Sequence, residues 1–251
     1  MNENKFDGKG DIYALYRPSY PDEFIEFLFE QTHITEQSVI ADIGSGTGIL
    51  TGQLLEKVHR VYAVEPNSDM RRIAENDLSQ YGLFTSVDAS AEHTTLPDRS
   101  VDLITVAQAF HWFDRDAFRK ECRRILKPGG HVALVWNSRD ETNALVAENA
   151  GINRKYCPDF KGFSGGPGGP ASDEALRDFF TGEYVRKIFK NDLISDLPGF
   201  IGRNLSASYA LKEGDGQYDA YVGELISLFE KYAVNGTVTT ANFTRSYIGL
   251  A

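Results

Sequence analysis

The chain has 251 residues, 41% of them hydrophobic and 25% charged, and a formal net charge of −10. That length and hydrophobic share suit one α/β domain with a real core and exclude a disordered chain. The carboxylate excess repels a phosphate backbone and argues against nucleic acid as a partner. Two cysteines, Cys122 and Cys157, give no disulfide framework and no cysteine-rich metal site. No apolar run nears the length of a membrane span. The charged start, Met1-Asn2-Glu3-Asn4-Lys5, carries no apolar leader, so a cytoplasmic protein is expected.

In chain order, residues 1–36 read as an N-terminal cap segment. A helix is expected over 21–29, with Pro21 and two acids in its first turn. Tyr13, Tyr16, Arg17 and Tyr20 precede it. Residues 39–43 form a short apolar strand that breaks into Gly44-Ser45-Gly46-Thr47-Gly48. A helix should follow, and then a second apolar strand over 61–64 that ends in Glu65. Strand, glycine turn, helix and acid-ended strand make a nucleoside half-site. The glycines let backbone approach a ligand closely or take positive φ. One carboxylate accepts both hydroxyls of a ribose. The dinucleotide fingerprint G-x-G-x-x-G fails at Ile49, because the last glycine comes one residue early at Gly48. That spacing counts against an NAD or FAD oxidoreductase.

Residues 85–92 bring Asp88 and Ala89, and residues 101–106 read as a further strand. Gln108 and the run Phe110-His111-Trp112-Phe113 follow it. The helix near 118–126 is stopped by Lys127-Pro128-Gly129-Gly130 before a strand over 131–136. The pairs Arg71-Arg72 and Arg123-Arg124 read as solvated helix faces. Beyond residue 138 the pattern is less regular. Helices are expected over 143–156, 193–209 and 218–232, and strands over 184–189 and 238–248. The Gly/Pro-rich run 162–170 reads as a mobile loop.

The order of these motifs carries a resemblance. The spacing D-x-G-x-G-x-G at 42–48, Glu65, Asp88-Ala89, Gln108 and the L-K-P-G-G turn resemble class I S-adenosylmethionine-dependent methyltransferases over residues 39–136. The resemblance implies an α/β, Rossmann-like class I methyltransferase fold. That fold has a seven-stranded mixed sheet, its last strand antiparallel, and helices on both faces. It implies a single domain over 1–251. Residues 37–138 are then the cofactor-binding core, and 139–251 a substrate-covering insertion with the C-terminal strands. S-adenosyl-L-methionine is the implied cofactor, with no metal. Asp42, Gly44, Gly46, Gly48, Glu65, Asp88, Ala89 and Gln108 are the residues expected around it. Glu65 is assigned to the ribose, and Asp88 with the Ala89 amide to the adenine edge.

The segment Tyr16-Arg17-Pro18-Ser19-Tyr20-Pro21 resembles the N-terminus of a subgroup that includes trans-aconitate-type carboxyl methyltransferases. Tyr16, Arg17, Tyr20, Trp112 and Arg203 are therefore the expected substrate contacts. Methyl transfer from a sulfonium is a direct displacement that needs alignment and exclusion of water, without a covalent residue. His111, just past the fourth strand, is the candidate general base; the alternative is a pocket wall. The expected partner is a small organic acceptor methylated at oxygen, a carboxylate among the possibilities. A monomer or homodimer acting on neither membrane nor nucleic acid is expected. A non-catalytic S-adenosylmethionine-binding protein is the alternative, and a nucleotide-cofactor oxidoreductase a more distant one.

Overall fold

Apolar segments separated by amphipathic ones alternate along the first half of the chain, and the computed structural model turns each into a strand or a helix. It describes residues 17–163 and 173–251. In order these are α1 (Asp22–Thr32), β1 (Val39–Ile43), α2 (Ile49–Leu55), β2 (Arg60–Val64), α3 (Ser68–Leu78), β3 (Phe84–Val87), β4 (Val101–Ala107), α4 (Arg115–Ile125) and β5 (Leu126–Arg139). Then come α5 (Ala144–Tyr156), α6 (Asp173–Phe179), β6 (Val185–Lys190), β7 (Leu193–Ser195), α7 (Leu197–Leu205), α8 (Tyr218–Tyr232), β8 (Val238–Thr240) and β9 (Asn242–Gly249).

Seven strands form one sheet in the order β3-β2-β1-β4-β5-β9-β6. Strands β1 to β5 are parallel. β9 runs antiparallel between β5 and β6. This is the mixed sheet expected from the sequence, with its last strand inserted. Strand order reverses between β1 and β4, and ligands of such sheets sit outside the carboxyl ends at that point.

Both sheet faces are buried, as parallel strands require. On one face Ile40, Val61, Leu103 and Val135 pack with Phe24 and Leu28 of α1 and Leu54 of α2. On the other, Ile43, Val64, Ile104 and Val106 pack with Phe110, Phe118, Trp136 and Phe179. A separate apolar cluster joins α5, α7 and α8 through Val146, Phe200, Tyr221, Leu225 and Phe229.

The structure departs from the sequence expectations in four places. The segment 193–209 is not one helix. Leu193–Ser195 pairs with Val238–Thr240 as a small ribbon. Asp196 then caps α7 by accepting from the Gly199 amide at 2.9 Å. The segment 238–248 breaks at Ala241, because β8 belongs to the ribbon and β9 to the main sheet. Strand β5 begins before Gly129-Gly130, since Leu126 already pairs with Val101 and the register shifts before His131 meets Leu103. Finally, Arg71 does not lie on a solvated face, for its side chain is only 16% exposed. The expected loop over 162–170 lies outside the described residues from 164 onward.

Candidate functional site

Strand β1 ends at Ile43, and the chain must turn at once into α2. Gly44, Gly46 and Gly48 all take positive φ, at 67°, 58° and 82°. The outer two are also required by packing. A Cβ on Gly44 would meet the Ala109 Cβ at 2.5 Å, and one on Gly48 the Leu78 Cδ1 at 2.8 Å. Gly46 differs, because a Cβ there would meet nothing within 4 Å. The loop is therefore held at both ends and open at its middle. The hydroxyls of Ser45 and Thr47 are buried and take no partner among the described residues.

Glu65 follows β2 and faces this loop. Its Oε2 accepts from the Gly46 amide at 2.9 Å, and its Oε1 from the Asn67 amide at 2.8 Å. Each carboxylate oxygen keeps lone-pair capacity for a further donor. Burial raises the Glu65 carboxyl above the usual carboxylate value, against the pull of those two amides and of Arg71. Asp88, exposed at the end of β3, pairs with Arg71 Nη2 at 2.9 Å. Arg71 Nη1 donates to the Glu65 and Pro66 carbonyls at 2.9 and 3.2 Å. One guanidinium thus ties the ends of β2 and β3 together, a role the sequence reading did not find. Ala89 is partly buried against the sheet.

Asp42 lies beneath the loop and is fully buried. Thr51 of α2 donates to its Oδ2 at 2.7 Å, and Thr105 of β4 to its Oδ1 at 2.8 Å. The carboxylate so fixes β1 against both neighbours; its place is under the site and its oxygens face the fold. Burial raises its pKa from 3.8 to about 6, and the two threonine hydroxyls oppose that rise. A raised folded pKa favours folding fully below pH 3.8 and less as pH climbs through 6. The cost of ionisation is about 3 kcal/mol. Asp42→Asn removes the titration and keeps the shape. The stability difference between variant and wild type should shift by about 2 kcal/mol toward the variant from pH 4 to pH 7. Urea midpoints at the two pH values measure it, and a constant difference would remove the buried charge.

Gln108 follows β4 with φ at 60°, a left-handed conformation that costs a non-glycine residue free energy. Its amide donates to the Val135 carbonyl at 2.9 Å, and its Nε2 to the Asn137 carbonyl at 3.1 Å. His111 sits exposed in a short 3-10 turn, its ring 4.4 Å from that of Trp112. Trp112 is half-buried against the core. Tyr20 is 6% exposed and locked to Gln53 by two hydrogen bonds, at 3.0 and 2.7 Å. Its ring is in the core against Phe24, so the structure gives it a packing role in place of the substrate contact expected. Arg17 donates to the Ser206 carbonyl at 3.3 Å. Arg203 is buried on α7. Tyr13 and Tyr16 lie outside the described residues.

Glycine loop, Glu65, Asp88 and Gln108 thus stand at the carboxyl ends of β1, β2, β3 and β4. The set fits S-adenosyl-L-methionine. Open backbone at Gly46 admits close approach, Glu65 retains acceptor capacity for a diol, and Asp88 presents an exposed carboxylate to an amine. The loop hydroxyls are free to meet polar groups of an amino-acid tail.

The chain is similar to known proteins in sequence and in fold. Residues 41–134 match the family described as methyltransferase domain. An uncharacterized methyltransferase of Mycobacterium bovis is 40% identical over 136 residues, 54% of this chain and 53% of that protein. The ubiquinone/menaquinone biosynthesis C-methyltransferase of Hahella chejuensis is 28% identical over 129 residues, 49% of this chain and 51% of that protein. The chain spans about half the length of these curated relatives it matches. A solved structure assigned as a type II methyltransferase from Anaeromyxobacter dehalogenans superposes with a TM-score of 0.66 at 23% identity. It covers 94% of this chain and 98% of that one, which extends the shared fold beyond the matched core. Over residues 41–134 the chain is therefore similar to the methyltransferase domain, and it shares its fold with a solved methyltransferase structure over nearly its whole length.

Proposed function

We propose that the protein transfers a methyl group from S-adenosyl-L-methionine to a small organic acceptor, at oxygen and by direct displacement. The observation that carries this reading is the loop open at Gly46 and faced by Glu65, at the reversal point of the sheet. When bound, the cofactor supplies an activated methyl group on a positive sulfur. The chain's own part is to bind and to exclude water. Glu65 accepts from the ribose, Asp88 meets the adenine amine, and Asp42 with Thr51 and Thr105 holds the loop's base in place.

The acceptor side is formed by Arg17, Trp112, Arg203 and the α5, α7 and α8 cap. A carboxylate is the acceptor this reading favours, because it is already ionised and needs cations but no base. Among the described residues no helix is long and apolar enough to cross a membrane. A cytoplasmic monomer or homodimer accords with the reading. The test is calorimetric binding of S-adenosylhomocysteine, followed by transfer of labelled methyl to a panel of carboxylic acids, phenols and amines. Failure to bind the spent cofactor would remove the reading.

His111 decides between acceptors. With a carboxylate, His111→Ala should leave kcat within a few-fold. An acceptor that must lose a proton would instead cost about 100-fold or more. Phenol or carbon acceptors belong to the second outcome, and the pH–rate profile of the two proteins separates them.

A further inference from the structure

Arg139 ends β5 beyond the strand-end residues described above, where it faces the cap. Its Nη1 donates to two neutral oxygens, Asn149 Oδ1 at 3.0 Å and Asn204 Oδ1 at 3.4 Å. Phe163 covers one face of the guanidinium, 4.2 Å from the ring centroid. No carboxylate acts on it, and the residue keeps part of its surface open. Its Nε and Nη2 donate to none of the described residues. Arg17 is close enough for its positive charge to act on Arg139, and Tyr209 feels Arg17, Arg139 and Arg203 together. A guanidinium on which no carboxylate among the described residues acts favours a counter-charge.

Two further donors beside Arg139 lack acceptors. Asn149 is 2% exposed, and its Nδ2 takes no partner, although its Oδ1 holds Arg139. Asn242 lies directly across from Arg139 in the β5–β9 ladder. It is 0% exposed, and neither polar atom of its amide has a partner. Buried polar groups are paired in most folds, so a cluster of idle donors marks a place for an acceptor. Among ligand groups, an ionised carboxylate only accepts and matches a guanidinium edge with both oxygens.

We propose that Arg139, with Asn149 and Asn242, forms an anchoring subsite for a carboxylate of the acceptor molecule, separate from the atom that receives the methyl group. This rests on the methyltransferase reading above. A carboxylate gripped by a guanidinium and two amides has its lone pairs engaged and is a poor nucleophile. The anchored group therefore orients the substrate, and a second group of the same molecule reacts.

The test uses the full chain saturated with S-adenosylhomocysteine, titrated with glutarate, its neutral diamide and inorganic phosphate. Glutarate should bind the wild type, and the diamide should bind at least tenfold more weakly. Arg139→Met should weaken glutarate tenfold or more while leaving S-adenosylhomocysteine affinity unchanged. Arg139→Lys, which keeps the charge and loses the fork, should fall between them and remains usable if the methionine variant does not fold. Glutarate bound equally by wild type and both variants, or not bound by wild type, overturns the subsite. Phosphate bound more tightly than glutarate overturns its assignment to a carboxylate. Loss of S-adenosylhomocysteine binding in the wild type sinks the methyltransferase reading instead, so the two failures are distinct.

Discussion

Gly46→Val is expected to weaken S-adenosylhomocysteine binding by roughly a hundredfold or more while the protein stays folded. Two causes act together. At φ 58° a β-branched residue is strained. That strain is worth about 1–2 kcal/mol. The side chain also projects into the open space where a Cβ meets no protein atom within 4 Å. Strain alone should lower the melting temperature by only about 2–6 °C. The companion substitution sharpens the result. Gly44→Val drives its Cβ to 2.5 Å from that of Ala109 and should damage folding itself. Calorimetry and circular dichroism on the two proteins separate a blocked site from a broken fold. Normal affinity in Gly46→Val would show that the ligand does not pass over this loop.

Glu65→Ala should weaken the same ligand by about 1–3 kcal/mol, the scale of a lost hydrogen bond to a charged group. Two backbone amides, of Gly46 and Asn67, lose their acceptor at the same time, so the loop itself loosens. Glu65→Gln keeps an oxygen for one of them and should lose less. The wild-type pH dependence has a definite sign. Burial, the largest influence, raises the Glu65 carboxyl above 4.5. Protonation turns an acceptor into a donor, so affinity should fall on acidification, starting above the pH of an ordinary carboxylate. Glu65→Ala should lose that slope. An unchanged affinity and slope in the variant would take Glu65 out of the ribose site.

The reach of sequence reading differed sharply between the two halves of the site. Gly44, Gly46, Gly48, Glu65 and Gln108 were legible as strand-end residues, because each follows an apolar run, whereas Asp88 came only from the resemblance, since the strand before it, Phe84-Thr85-Ser86-Val87, is half polar. Asp42 was legible as part of the motif. Its position under the loop was not, because its partners Thr51 and Thr105 come from a helix and from a strand 63 residues away. Tyr20 read as an aromatic near the site, yet its backbone bonds to Gln53 pull the ring into the core. Arg71 read as one of a surface pair, and only the approach of β2 and β3 reveals the three oxygens it holds. The helix expected over 193–209 failed because a partner strand distant in sequence claimed its first three residues.

From the sequence alone came the strand order's raw material, the glycine loop and the acid that faces it. These depend on local requirements: apolar runs for buried strands, glycine for positive φ, and one carboxylate at a strand end. The tertiary structure decided what surrounds Arg139. Asn149 meets it from α5 and Asn204 from α7, and Asn242 stands opposite it because β9 pairs with β5. Unsatisfied donors are a property of a packed neighbourhood. No spacing along the chain can announce them, since a polar side chain is idle only once the fold has taken water away from it.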